Sequence, residues 1–239
     1  MRPIFITGIG TGVGKTMIAA MVAEALGAYY WKPVQAGFAD GTDAEWVAER
    51  LSAPEPQTAA GSDGRPGAMP AAGSGTAAVS RVLPEAYKLK LPASPHIAAR
   101  EEGVVISLET LAAKLPVQRP LVVEGAGGLF VPLNDTEFMS DLALRLDATV
   151  ILVSRNYLGS INHSLLTAEA CRVRGLRVAG WIFNDQYLDY EGEIVKWSGL
   201  PALASVPFRE GPDAAFVQEQ ALKMRPRLYA ALDAAEPGR

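Results

Sequence analysis

The run Thr7-Gly8-Ile9-Gly10-Thr11-Gly12-Val13-Gly14-Lys15-Thr16 restricts the fold more than any other part of the chain. It follows a short apolar run, Ile4–Thr7. It opens a stretch, Lys15–Leu26, in which Met17, Ile18, Met21, Val22 and Ala25 recur at helical spacing. Strand, glycine loop and helix in that order form the frame of a phosphate-binding loop. Glycines let successive backbone N–H groups turn toward phosphate oxygens, and the helix N-terminus adds a favourable dipole. Lys15 can reach the β- and γ-phosphates, and the Thr16 hydroxyl can ligate Mg²⁺. The common form puts its first glycine where Ile9 stands; here it is Gly8, with five residues before Gly14-Lys15. A dinucleotide fingerprint fails in both registers, because its third glycine falls on Val13 or on Lys15. The plainer alternative is a strand-to-helix turn that binds nothing.

The rest of the chain continues the alternation. Tyr29–Trp31, Leu121–Val123, Thr149–Val153, Val178–Phe183 and Ala202–Val206 read as short buried strands. Asp43–Leu51, Ser94–Glu102, Leu108–Leu115, Asn162–Arg174 and Asp213–Leu232 read as helices. The expected fold class is α/β, a three-layer parallel sheet of the P-loop NTPase kind with helices on both faces. One domain over 1–239 is expected, interrupted by Ser52–Ser80. That stretch is dominated by Ala, Gly, Pro and Ser without periodicity, and reads as a flexible surface insertion. Polar or glycine-rich segments follow several strands: Thr7–Thr16, Lys32–Gly37, Glu124–Gly128, Asn184-Asp185 and Ser205–Pro207. In an open α/β sheet the carboxyl ends of the strands share one edge, where ligands bind.

Composition narrows the partners. The formal net charge is −4 and no Lys/Arg cluster stands out, so no nucleic acid is expected. No apolar run is long enough to cross a bilayer, no signal peptide precedes the first strand, and Cys171 is the one cysteine. A cytoplasmic protein without membrane contact is expected.

Four further groups carry chemistry. Glu124 ends a strand and precedes Gly125-Ala126-Gly127-Gly128, so it can hold Mg²⁺ beside Thr16; otherwise it is a solvated strand-end glutamate. Asp43 is a second candidate ligand, or else the N-cap of its helix. Lys32 sits between a strand and Pro33 and can neutralise developing phosphoryl charge, or else lies on the surface. Gly159-Ser160-Ile161-Asn162 opens a helix that can bind an anion, or is capped by Ser160 or Asn162. His96 and His163 lack partners at metal-ligand spacing, and Cys171 reads as a packing residue.

In combination these residues resemble the dethiobiotin synthetase family. The matching blocks are Thr7-Gly8 through Lys15-Thr16, Lys32-Pro33-Val34-Gln35, Asp43, Ser94-Pro95-His96, Val123-Glu124-Gly125-Ala126-Gly127-Gly128, Gly159 with Ile161-Asn162-His163, and Gly180-Trp181 with Asn184-Asp185. They run in order over nearly the whole chain, and the five-residue gap in the loop is itself a feature of that family. The resemblance implies ATP- and Mg²⁺-dependent closure of 7,8-diaminononanoate with CO₂ to dethiobiotin, through a carbamate and a carbamic–phosphoric anhydride. It implies that Lys15, Lys32 and Thr11 act on the transferring group, and that Thr16, Asp43 and Glu124 hold Mg²⁺. It further implies that Gly12–Thr16 and Met17 cradle the phosphates, with Gly125, Ala126 and Gly127 beside them. Asn184 and Asp185 would read adenine near Ser205, Val206 and Pro207. Thr11, Lys32 and Ala36 would meet the substrate, whose carboxylate would reach Gly159, Ser160, Ile161 and Asn162 of a second copy in a homodimer.

Three departures qualify the match. Family members often carry Ser or Thr where this chain has Ala36. Gly10 and Gly12 replace acidic residues of some members, and Ser52–Ser80 has no placed counterpart. The alternative is a P-loop ATPase switch of the partitioning or positioning type. Such switches carry a second lysine where this chain has Gly10 and often end in a basic amphipathic helix, which Pro226 is expected to interrupt here. A third reading is an amidoligase relative acting on a larger acid, but with Cys171 as the one cysteine no Cys–His–Glu glutaminase constellation is found.

Overall fold

Ile4–Gly8 forms a strand buried at every position, as a parallel strand covered on both faces must be. The fold around it comes from a computed structural model that describes residues 1–52, 80–185, 188 and 190–235. Apart from its ends Ser52 and Ser80, the insertion expected at 52–80 lies outside the described residues. In chain order the elements are β1 (Ile4–Gly8), α1 (Lys15–Leu26), β2 (Tyr29–Trp31), β3 (Val34–Ala36), α2 (Asp43–Ala48), β4 (Val82–Leu83) and β5 (Tyr87–Leu89). Then follow α3 (Pro95–Glu101), α4 (Leu108–Ala113), β6 (Leu121–Gly128), α5 (Met139–Arg145), β7 (Thr149–Arg155) and α6 (Ser160–Val173). The chain closes with β8 (Arg177–Asn184), α7 (Tyr190–Ser198), β9 (Ala202–Val206) and α8 (Ala214–Ala235).

Seven strands form one sheet in the order β4-β2-β6-β1-β7-β8-β9, and every neighbouring pair is parallel. Side chains alternate between its faces. Ile4, Ile6, Val122, Ile151, Val153 and Ile182 pack against α1 and α8 on one side. Phe5, Val123, Val150, Leu152, Trp181 and Phe183 pack against the other helices on the opposite side. These are the three layers of the expected α/β fold. The short parallel pair β3–β5 forms a second sheet, and it carries Gln35 and Ala36 toward the ligand edge.

Several expectations need correction. The strand expected at Leu121–Val123 continues to Gly128, because β1 supplies partners as far as Gly8↔Gly128. The helix expected from Asn162 begins at Ser160, and the one expected to reach Leu51 ends at Ala48. Pro226 does not interrupt the last helix, which runs unbroken through it. A proline inside a helix costs about 3 kcal/mol. Burial of Phe216, Val217, Ala221, Met224, Leu228 and Leu232 outweighs that, at roughly 1.5–3 kcal/mol for each large apolar side chain.

Candidate active site

The β1–α1 loop turns through Gly12 and Gly14, both in left-handed backbone conformation, and delivers Lys15 to the start of α1. Gly14 cannot be anything else without cost: a Cβ there would stand 2.2 Å from Asn184 Nδ2. That nitrogen donates to the Val13 carbonyl at 2.9 Å, so the end of β8 grips the phosphate loop. Lys15 is nearly buried, and its ammonium donates to the Gly10 carbonyl at 2.8 Å. Burial pushes its pKa down to about 8, although the Glu124 carboxylate works in the opposite sense.

Glu124 is 1% exposed and accepts from three donors. Thr16 Oγ1 lies 2.9 Å and Lys32 Nζ 3.0 Å from its Oε1, while the Tyr30 hydroxyl lies 2.6 Å from its Oε2. A solvated strand-end glutamate is thereby excluded. Lys32 is likewise buried, not a surface lysine, and bridges Glu124 to Asp43. Burial alone would lower its pKa, but the two carboxylates outweigh burial and raise it. Tyr30 is wholly buried; burial, and then the facing Glu124 carboxylate, push its pKa well above the ordinary phenol value.

Asp43 is not the N-cap of its helix. Thr42 is: its hydroxyl accepts from Glu45 N at 3.1 Å while the Glu45 carboxylate accepts from Thr42 N at 2.7 Å. The Asp43 carboxylate is thus released for Lys32, and its backbone N–H donates to Gln35 Oε1 at 3.4 Å. Thr16, Asp43 and Glu124 converge as hard oxygen donors, which fits Mg²⁺. Among the described residues no group of three or more His, Cys, Asp or Glu could form a metal cage of its own.

These groups line a cleft of about 740 Å³ at the carboxyl edge of the sheet, a size for small molecules. Thr11, Gly12, Lys15, Thr16, Lys32 and Asp43 form its polar part together with Glu124. Val34, Ala36, Pro92, Ala93, Ala126 and Val131 form an apolar wall. Gly127 has φ +61, and a Cβ on it would stand 2.5 Å from Val131. Met17 lines an adjoining cleft with Thr42 and Trp46. Val13 and Gly125 are buried and do not line the cleft.

Other expected residues stand apart from the cleft. Asn184 touches it only through the loop, and Asp185 follows in left-handed conformation. The Ser205 hydroxyl donates to Glu191 at 2.7 Å, Val206 is buried at the end of β9 and Pro207 is exposed. Gly159–Asn162 does not line the cleft of its own chain. Neither Ser160 nor Asn162 caps that helix: Gly159 is the N-cap, and the Ser160 hydroxyl instead accepts from Tyr157 N at 3.3 Å. Tyr30 belongs to the site but carries no motif of its own; its only signal is proximity in sequence to Lys32. Gln35 lies within the matching block Lys32-Pro33-Val34-Gln35, but nothing in that block shows that its side chain meets Asp43.

Comparisons with known proteins bear on the family of the chain. A family model described as an AAA domain matches residues 2–62 and 74–215. The ATP-dependent dethiobiotin synthetase BioD of Rhodopseudomonas palustris (strain HaA2) is 45% identical over 208 residues, 86% of this chain and 85% of that protein. The enzyme of the same name from Cytophaga hutchinsonii is 40% identical over 96% of this chain and 100% of its own. Among solved structures, the Pyrococcus furiosus cell division ATPase MinD aligns with a TM-score of 0.57 at 14% identity, over 96% of this chain and 99% of that one. That likeness extends to the P-loop NTPase fold alone. The relatives at 40–45% identity settle the narrower question: this chain belongs to the ATP-dependent dethiobiotin synthetase family.

Proposed function

We propose that this chain closes the ureido ring of dethiobiotin from 7,8-diaminononanoate and CO₂ at the expense of ATP, a step of biotin synthesis. One observation carries the reading. A chain 45% identical to such an enzyme holds Lys32 between Asp43 and Glu124, directly beside the phosphate loop. A loop that merely bound nucleotide would not need that cation.

The chemistry balances in three steps. An amine nitrogen adds to the carbon of CO₂ and releases a proton, giving a carbamate. A carbamate oxygen attacks the γ-phosphorus, and the bond to the bridging oxygen breaks with ADP leaving. The second amine attacks the carbonyl carbon of this mixed anhydride, phosphate departs and the ring closes. Backbone N–H groups of Gly12–Thr16 and Met17 cradle the phosphates, and Lys15 reaches their β/γ end. Lys32 and Thr11 meet charge on the transferring group and the carbamate. The wall of Ala36, Val34 and Val131 suits a polymethylene chain. Asn184 and Asp185 face adenine, with Ser205–Pro207 near it. Thr16, Asp43 and Glu124 hold Mg²⁺, which supplies neutralisation of phosphate charge.

The proposal includes a homodimer in which Gly159–Asn162 of one copy receives the substrate carboxylate bound by the other. In support, this helix start carries no side-chain cap, and Leu158, Leu166 and Val173 around α6 are exposed. It also includes a cytoplasmic setting: the reaction consumes ATP, and Cys171 is a free, buried thiol. Among the described residues no helix is long and apolar enough to cross a membrane.

The test is purified protein with ATP, Mg²⁺, bicarbonate and the diamine. Phosphate release should require the diamine, with dethiobiotin detected by mass. Release that ignores the diamine overturns the reading. Light scattering at micromolar protein checks the dimer.

A further inference from the structure

Glu124 divides its two oxygens between two sides of the fold. Oε1 takes Thr16 Oγ1 and Lys32 Nζ, both lining the cleft. Oε2 takes the Tyr30 hydroxyl at 2.6 Å, behind the cleft wall. Tyr30 is 0% exposed and Glu124 1%, so bulk water is no ready substitute for that donor.

The arrangement follows from register. Tyr30 on β2 pairs with Val122 on β6, and both face α1 within the same apolar cluster. Glu124 lies two residues beyond Val122 and therefore projects from the same face. The tyrosine ring runs along that face and brings its hydroxyl to the far oxygen of the carboxylate. A carboxylate held by one oxygen only would turn about its last bond. Held at both, it presents Oε1 to the cleft in one orientation.

We propose that Tyr30 is a positioning residue for this site: its hydroxyl fixes Glu124 through Oε2, so that Oε1 faces Thr16 and the divalent cation bound with ATP. The proposal rests on the reading that Glu124, Thr16 and Asp43 hold that cation, and the test separates the two. Hydrogen-bond partners behind a metal ligand typically alter metal affinity 10–100-fold when removed.

The experiment measures Mn²⁺ binding by electron paramagnetic resonance in the presence of ATP, and ATP binding in EDTA. It compares the unaltered protein with Tyr30→Phe, Glu124→Gln and the double variant, each first checked for folding by circular dichroism. Tyr30→Phe should weaken Mn²⁺ about tenfold while ATP binding in EDTA stays unchanged. Glu124→Gln should weaken Mn²⁺ more, and adding Tyr30→Phe to it should change nothing further. Losses that simply add would show that the tyrosine acts on the core and not through Glu124, and would overturn the proposal. So would unchanged Mn²⁺ affinity in Tyr30→Phe alongside a clear loss in Glu124→Gln. Unchanged affinity in Glu124→Gln would instead remove the metal-site reading on which the proposal stands. If Tyr30→Phe does not fold, Tyr30→His takes its place, because the imidazole is shorter than the phenol and leaves Oε2 without the tyrosine hydroxyl. A folded Tyr30→His protein with full Mn²⁺ affinity would overturn the proposal, and a loss of about tenfold that disappears when Glu124→Gln is already present would support it.

Discussion

Lys32 Nζ lies 3.0 Å from Glu124 Oε1, with side-chain exposures of 8% and 1%. The same ammonium meets Asp43, whose side chain is one-third open to solvent at 33%. A lysine this deeply buried would by itself tend to lose its charge. Two carboxylates reverse that tendency and keep a fixed cation on the floor of the cleft. The cost of burying the group is met by the same carboxylates that suit a divalent ion, so charge balance and chemistry are tied together at this point.

Removing the cation should therefore be felt twice. Lys32→Ala leaves Glu124 buried opposite no ammonium, which should cost about 3 kcal/mol of stability, read from chemical denaturation. Turnover should fall by roughly 10²–10³-fold, the usual loss when one charge-stabilising donor is removed. ATP should still bind, because Lys15 and the loop backbone are untouched. Calorimetric titration with ATP, set beside steady-state phosphate release, separates the two effects. Near-normal turnover would remove Lys32 from the reaction.

Gly14 offers a sharper geometric test. Its φ of +89 is unfavourable for alanine by about 1–2 kcal/mol, and the new Cβ would collide with Asn184 Nδ2. Gly14→Ala should detach Asn184 from the Val13 carbonyl and weaken ATP at least tenfold, equivalent to about 1.4 kcal/mol. Adding Asn184→Ala removes the collision but not the backbone strain. The double variant should then recover part of its thermal stability and none of its ATP affinity, as measured by melting and by equilibrium dialysis. Full recovery of affinity would show that the collision alone mattered.

What the sequence made legible at this site was the part written locally. The glycine loop, Lys32 and Glu124 carry their chemistry in short motifs, because a loop following a strand has few ways to arrange its backbone. Tyr30 could not be read in that way, nor could the contact that Gln35 makes. Tyr30 meets Glu124 only because β2 lies beside β6, a pairing between residues far apart in the chain. Gln35 reaches Asp43 only through the second sheet. Strands as short as Val34–Ala36 and Val82–Leu83 give too few residues for periodicity to appear. Pro226 marks the opposite limit. A strong local signal was overruled by the packing of α8 against α1.

Acid stability should depend on Glu24. Burial works to raise its pKa, but donation from Ser52 and Arg81 outweighs burial and leaves the carboxyl below its ordinary value of 4.5. A depressed folded-state pKa contributes stability that is complete above the unfolded value and is lost as pH falls through the folded one. Glu24→Gln should thus be less stable than the unaltered protein at neutral pH. The gap should narrow as pH drops below about 4.5. Urea unfolding from pH 7 to pH 3 checks the sign; a gap that widened in acid would contradict it.

The same clasp bears on the segment between Ser52 and Arg81. The Ser52 hydroxyl donates to Glu24 Oε1 at 2.7 Å, Arg81 Nε donates to the Ser52 carbonyl at 3.0 Å, and Arg81 also pairs with Glu24. Ser52, which follows α2, and Arg81, which leads into β4, are therefore tied to each other and to α1. Replacing residues 54–79 with a short Gly-Ser linker, while keeping Ser52 and Arg81, should preserve the fold. Closing a shorter loop changes chain entropy only slowly with length, so stability should shift by about 1 kcal/mol. Arg81→Ala in the full-length chain should be the more damaging change, because it leaves Glu24 without its charged partner. Thermal melts of the two variants decide the order. If the linker variant fails to fold while Arg81→Ala melts normally, the segment and not the clasp holds this edge of the sheet.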